Sequence, residues 1–407
     1  VTAELEALLA EGLGRGLPAR IGVAVSGGSD SLALLHLLAD HAAAGGPAVA
    51  AVTVDHHLRP GSGAEAAAVG RACAALGVPH TVLHWHWDGR GNLEAAAREG
   101  RMALIAGWAK AAGIGVVALG HTADDQAETV LMRLARGSGV DGLSGMAARR
   151  RAGDVLWLRP LLRARRADLR AFLSARGVGW AEDPMNDDPA FDRVKARGAL
   201  AALAPLGVTV EGLVATAEWM ALARAALEAQ AAAAEGAVWR IADGDVLIAA
   251  EAFAALPREV QLRLLAAALC WVAAAPYRPR LASLLPLHAA LAAPGRRTLH
   301  GCLVTRRGAV IRVGREPAAA LAAPAAAPGT LWDGRWRVVG PFPKGAVIRA
   351  LGPVAVPGRR RDLPAATRAA SPAVWLGDRL IAAPVASAGG GFTARVERDL
   401  FATGTAD

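Results

Sequence analysis

Between Ile21 and Arg176 short apolar runs alternate with helical stretches, and this alternation restricts the fold more than any other feature. Strands are expected at Ile21–Val25, Val49–Asp55, Thr81–Trp87, Val116–Leu119 and Val155–Leu158. Helices are expected at Ser31–Ala39, Ala64–Leu76, Leu93–Ala112, Asp124–Ala135 and Arg166–Arg176. Such a series builds βαβ units, and hence a parallel sheet covered by helices on both faces. In such sheets the site lies beyond the carboxyl ends of the strands, where the strand order reverses.

The first strand runs straight into Ser26-Gly27-Gly28-Ser29-Asp30-Ser31 and then into a helix. Two glycines let the backbone take positive φ and approach a ligand closely. The serines add hydroxyl donors, and the helix start offers free N–H groups and a positive dipole end to an anion. The loop lacks a Gly-Lys-Ser/Thr ending. Asp30 would repel a phosphate unless a cation lay between them, which points to Mg²⁺. The plainer reading is a Gly-Ser turn with Asp30 near a cap.

A second constellation occupies Ala118–Met146, "ALGHTADDQAETVLMRLARGSGVDGLSGM". His121 and Asp125 are four apart and Asp125 and Glu128 three apart, spacings that share a helix face. With the Gly-rich stretch Arg136–Gly139 they are expected to meet at the carboxyl edge of the sheet. Thr122 and Asp125 also fit a capping box, which would make Asp125 structural. Both readings stand at this point.

The Ser-Gly-Gly-x-Asp-Ser loop resembles the pyrophosphate loop (PP-loop) of the N-type ATP pyrophosphatases. Further segments resemble the bacterial tRNA(Ile)-lysidine synthetases: Val54–Ala66, Gly91–Ala109, Arg159–Leu162, Trp180–Asp187 and the His121 segment itself. Leu299–Gly308 is similar to that family's middle domain, and "GRRRDLP" with "AVWLGDRLIAAP" to its C-terminal domain. The resemblance implies a parallel Rossmann-like α/β sheet with a PP-loop, then a helical middle domain and a small β-containing C-terminal domain. It implies that ATP adenylates C2 of the wobble cytidine of tRNA(Ile) with a CAU anticodon, and that free L-lysine displaces AMP to give lysidine. Ser26, Gly27, Gly28, Ser29, Asp30 and Ser31 would bind ATP, with Asp30 on Mg²⁺. His121, Asp125 and Arg101 would serve adenylation, and Glu128 would seat the lysine ammonium. Arg193 and Arg197 stand in an Arg-Asn-x-x-Arg pattern at the site's edge. Val194 departs from that pattern's Asn, Met185 from a common Ser or Thr, and Thr122 from a frequent second histidine. Rival readings are a 2-thiocytidine synthetase type of enzyme, which generally uses clustered cysteines, and a catalytically silent tRNA-binding protein.

The expected division is 1–210 for the catalytic domain, 211–317 for the middle domain, 318–329 for a Pro/Ala linker and 330–407 for a tRNA-contacting domain. Long alanine-rich helices are expected at Leu213–Glu235, Pro257–Ala274 and Arg280–Leu291, followed by a hairpin turning near Arg307-Gly308. The formal charge is +9, and only Lys110, Lys195 and Lys344 are lysines, so arginine supplies nearly all of it. That excess suits a polyanionic partner. Arg149–Arg151, Arg163–Arg166 and Arg359–Arg361 are candidate phosphate clamps. Hydrophobic content is 54%, yet much of it is alanine, and no run reaches the ~18 uncharged apolar residues of a membrane span. A cytoplasmic protein without membrane contact is expected, and a homodimer is left open. Three scattered cysteines argue against a metal cluster or a disulfide framework. His84 and His86 share one face of an expected strand but lack an evident third ligand, so they are read as ordinary strand residues.

Overall fold

The computed structural model describes residues 1–57, 61–87, 89, 93–182, 192–387 and 390–397. Met185, most of the Trp180–Asp187 motif and residues 58–60 of the Val54–Ala66 motif lie outside them. The chain forms two compact units, Val1–Arg224 and the remainder from Ala225.

The first unit begins with α1 (Thr2–Leu13), which buries Leu5, Leu9 and Leu13 at helical spacing. Each such leucine contributes about 1.5–3 kcal/mol by leaving water. The alternating elements then follow: β1 (Arg20–Ala24), α2 (Ser29–Ala43), β2 (Ala48–Asp55), α3 (Ser62–Ala75), β3 (His80–His84), α4 (Leu93–Ala111), β4 (Val116–Leu119) and α5 (Ala123–Ala135). After α6 (Val140–Leu143) come β5 (Arg149–Ala152), β6 (Val155–Leu158), α7 (Arg166–Ala175) and α8 (Asp192–Leu203). The sheet order is β3-β2-β1-β4-β6-β5. All neighbours pair in parallel except β5, which runs antiparallel to β6 at the edge. The order reverses between β1 and β4, so the two loops following those strands flank the switch point. The core beneath them includes Ile21, Val23, Leu34, Leu35, Ala118 and Leu158, all fully buried.

One expectation changes here. Strand β3 stops at His84, so His86 lies beyond it and the two do not share a strand face. Arg149–Arg151, candidates for phosphate contact, form the edge strand β5, where charged side chains also discourage pairing with another chain.

The second unit begins within the long helix α9 (Val210–Val238). It continues through β7 (Trp239–Ala242), β8 (Asp245–Ala249), α10 (Ala250–Ala254), α11 (Arg258–Ala273), α12 (Leu281–Ala290), β9 (Gly295–Leu299), β10 (Cys302–Arg307) and β11 (Val310–Arg315). The expected hairpin is the β10–β11 pair, turning at Gly308 with φ 55°. It lies within a five-stranded antiparallel sheet, β7-β8-β11-β10-β9, packed against α11. The Pro/Ala stretch carries α13 (Pro317–Ala322), with Ala320 fully buried, and Ala326 exchanges backbone hydrogen bonds with Ile348. Beyond it a second core gathers around Trp332, Trp336, Ile348 and Val374. The two cores meet through polar side chains. Asp245, 2% exposed, accepts from Thr367 Oγ1 and from Arg312 Nη1, the latter at 2.8 Å. Arg315 forks onto Asp333 with two bonds of 2.9 Å, and Arg360 Nη1 reaches Asp243 at 2.6 Å.

Candidate active site

The phosphate loop is shaped by its own side chains. Gly27 takes φ 92°, a left-handed conformation that favours glycine, and its carbonyl accepts from the Ala181 amide at 3.0 Å. Ser31 Oγ accepts from the Ser26 amide at 3.1 Å and donates to the Gly28 carbonyl at 3.0 Å, folding the loop back onto the first turn of α2. Gly120, at the end of β4, lies so close that a Cβ there would meet Ser31 Cα at 2.9 Å. The β4–α5 connection is thereby pressed against the start of α2, and this contact brings the two sequence constellations together.

Thr122 caps α5 and Asp125 closes a capping box with it. Asp125 Oδ2 accepts from Thr122 N at 2.8 Å and Thr122 Oγ1 at 2.9 Å. The structural reading of Asp125 therefore holds for one oxygen. Its other oxygen, Oδ1, faces Arg166 Nη2 at 3.0 Å and Arg193 Nη1 at 3.9 Å. His121 precedes the helix rather than sharing its face, and no hydrogen bond joins it to Asp125 in this arrangement. The Arg136–Gly139 stretch follows the far end of α5, ~20 Å from the cap at 1.5 Å per residue. It does not reach the carboxyl edge as the sequence suggested.

Arg166, at the start of α7, occupies the middle of the site. Its Nε donates to Asp30 Oδ2 at 2.9 Å, its Nη2 to Asp125, and its Nη1 lies 3.6 Å from Glu128 Oε1. Arg197 Nε donates to Glu128 Oε1 at 3.1 Å, from the same face of α8 as Arg193. Asp30, Asp125 and Glu128 are thus matched by Arg166, Arg193 and Arg197. Burial pushes the Asp30 carboxyl above its ordinary value, Arg166 opposes this, and Asp125 adds to the rise. Burial and then Asp125 likewise raise Glu128, against Arg166 and Arg197. Burial also works to raise Asp125, but Arg166, His121 and Arg193 outweigh it and its pKa falls. Glu128 is 3% exposed, and its Oε2 is buried without a hydrogen-bond partner.

The opposite wall is positive. Arg101 has no ion-pair partner among the described residues, and burial, then Arg98 and Arg193, lower its pKa. His121 is pushed down to about 3, mainly by burial and further by Arg159, Arg193 and Arg101, despite Asp125. It is a neutral imidazole at neutral pH, and its Nδ1 is buried without a hydrogen-bond partner. A half-buried guanidinium among like charges favours an anion such as a phosphate chain.

Sequence reasoning placed Arg166 only among surface clamps. Arg163 and Arg165 of that cluster are also engaged, with Glu11 and Glu218 and with Asp124 and Glu211 respectively. In the second unit Arg360 pairs with Asp243 and Asp362, while Arg359 and Arg361 are exposed without an ion pair among the described residues. Asp55 accepts from the His57 amide at 2.9 Å, forming the turn after β2.

A PP-loop domain family model matches residues 2–203. The tRNA(Ile)-lysidine synthase of Ruegeria pomeroyi is 46% identical over 387 residues, covering 93% of this chain and 92% of that one. The chain belongs to the tRNA(Ile)-lysidine synthase family. The Hyphomonas neptunium member is 40% identical over 75% of this chain and 84% of its own length. Among solved structures, the U34-tRNA thiolase NcsA from Methanococcus maripaludis matches 54% of this chain and 78% of its own, at 18% identity and a TM-score of 0.46. As a lysidine synthase family member the protein is an ATP-dependent ligase of the PP-loop class. Among the described residues no single helix is long and apolar enough to cross a membrane.

Proposed function

We propose that this enzyme makes lysidine at the wobble cytidine of an isoleucine tRNA with a CAU anticodon, from ATP and free L-lysine. The cytosine O2 attacks the α-phosphorus of ATP and pyrophosphate leaves. The lysine ε-amine then attacks C2, and AMP departs with the activated oxygen. The arrangement that carries this reading is a phosphate loop facing a buried carboxylate cluster across the switch point, in a chain aligned with a lysidine synthase over nearly its full length.

The loop amides of residues 26–31 and the α2 N-terminus would hold the departing pyrophosphate. Asp30, a hard oxygen donor in the first turn of α2, fits Mg²⁺, which when bound supplies positive charge beside the phosphates. Arg101 would pair with the phosphate chain. His121, neutral and with an unused Nδ1, would orient the nucleotide by hydrogen bonding rather than by charge. Glu128 Oε2 has no partner of its own and is suited to receive the lysine ammonium. Arg193 and Arg197, half exposed on α8, would line the entrance used by the tRNA loop. A wobble base lies in a single-stranded loop, so presenting it costs less than extracting one from a duplex. ATP, lysine and tRNA meet in the cytoplasm, where the reaction would run. Residues 1–210 would carry the chemistry and 330–407 would contact tRNA.

A sulfur-transferring enzyme is disfavoured. Cys73, Cys270 and Cys302 are all buried, and burial pushes Cys73 to about 11 and Cys302 to about 12. Incubation with ATP, radiolabelled lysine and total tRNA, followed by nucleoside analysis, is the test. Label in a modified cytidine, with AMP released, is expected; ADP without AMP would overturn the proposal.

A further inference from the structure

The carboxyl edge of the parallel sheet carries a second group of ligating side chains, Asp55, His57 and His84, to which the proposed lysidine chemistry assigns no role. Asp55 closes β2 and His84 closes β3, and the two are direct partners in the parallel register. Two residues beyond Asp55 the chain turns at His57, whose φ is 50°. Left-handed backbone is uncommon outside glycine, and histidine is among the residues that adopt it more often. The turn aims the His57 ring back at its neighbours: Nδ1 lies 3.5 Å from Asp55 Oδ2, and Nε2 lies 2.9 Å from His84 Nδ1. One donor atom from each of Asp55, His57 and His84 falls within 4.8 Å of the other two. The His86 ring lies against His57, with centroids 5.1 Å apart. Asp55 is buried and anchored by the His57 amide, whereas both imidazoles are open to solvent.

The Asp55 carboxylate accepting from the His57 amide accounts for the turn itself, but water would satisfy either exposed imidazole as well as the other ring does. A shared ion gives the two rings a reason to converge. Two nitrogens bound at ~2.0–2.1 Å to one tetrahedral ion sit a few tenths of an ångström farther apart than these two do, a shift that exposed side chains accommodate. Two imidazoles and one carboxylate suit zinc-like ions rather than magnesium, which prefers oxygen donors. The sequence alone offered His84 and His86 and no third ligand; the turn at His57 and the strand register supply two.

We propose that Asp55, His57 and His84 form a site for a first-row transition-metal dication of the zinc class, separate from the magnesium position at Asp30. Three protein ligands leave one position for solvent. The ion would tie the turn after β2 to the end of β3, so its binding would also raise the melting temperature.

The test uses the full chain stripped with a chelator. Equilibrium dialysis with Zn²⁺ and Co²⁺ titration read by visible absorption should show a single saturable site with a tetrahedral-type Co²⁺ spectrum, undiminished by excess Mg²⁺. His84→Ala and His57→Ala should each weaken binding at least about tenfold. His41→Ala, on a distant helix end, should leave it unchanged. Circular dichroism confirms that the variants are folded, and the Zn²⁺-induced rise in melting temperature should vanish in His84→Ala. Absence of saturable binding in the parent chain, or equal affinity in parent and His84→Ala, overturns the proposal.

Discussion

Arg166 Nε donates to Asp30 Oδ2 at 2.9 Å across 136 residues of sequence. The same guanidinium reaches Asp125 and Glu128, so one side chain offsets three acids that would otherwise repel one another at the phosphate loop. Burial works against the Arg166 charge, but Asp125, Asp30 and Glu128 outweigh it and raise its pKa. Arg166→Ala should therefore destabilise the fold by about 3 kcal/mol, because Asp30 loses its arginine partner and Asp125 and Glu128 keep only Arg193 and Arg197. A chemical denaturation curve reads this directly. Arg166→Lys should recover only part of the loss, since an ammonium cannot present the planar fork that spans three partners.

Asp30→Ala should sharply reduce AMP formation while tRNA binding survives. A loss of roughly 10²–10³ in turnover is the scale expected for a group that acts on developing charge. Filter binding and a pyrophosphate-release assay separate the two effects. Unchanged AMP formation would remove Asp30 from the phosphate chemistry.

Glu128→Gln should raise the KM for lysine about tenfold or more, with a much smaller change for ATP, because of the two small substrates only lysine brings an ammonium to that carboxylate. Initial rates with each substrate varied separately provide the comparison. An unaltered lysine requirement would place the ammonium pocket elsewhere.

His121 carries a pH signature. Its folded-state pKa of about 3 lies below the ordinary 6.5, so the unfolded chain takes up the proton first as pH falls. The stability it contributes is fully present above about pH 6.5 and is lost between there and about pH 3. The stability difference between parent and His121→Gln should change across that window, with a slope of at most about 1.4 kcal/mol per pH unit. A difference independent of pH would show that the imidazole is not held neutral.

Asp245→Ala should cost about 3–5 kcal/mol, because Arg312 and Thr367 lose their common acceptor in a buried setting. Thermal melting provides the measurement, and Asp245→Asn should cost less because it keeps an acceptor oxygen.

Much of the first unit is legible in the sequence. β4 and β6 coincide with the expected segments because short buried strands rich in valine and leucine are bounded by glycine or polar residues. The phosphate loop, His121, Asp125 and Glu128 were also legible, since each lies close in sequence to its strand end. Arg166 was not, because its partners come from the loop after β1 and from α5, and only the folded sheet brings them near. β5 was hidden by three successive arginines, which give a charge signal and no alternation. β9, with the sequence GRRTL and almost entirely exposed, was hidden for the same reason. The turn at His57 depends on a backbone angle that residue type does not announce.

Asp245 sits on β8, while Thr367, which donates to it, comes from the segment beyond α13. Cutting the chain at the alanine-rich stretch would thus do more than free a detachable tail: it would strip a buried acid of a donor and open the seam between two cores. Shortened versions lacking the last segment should precipitate or melt early before any defect in RNA handling can be read, so point changes on the surface of that segment are the cleaner way to probe its role.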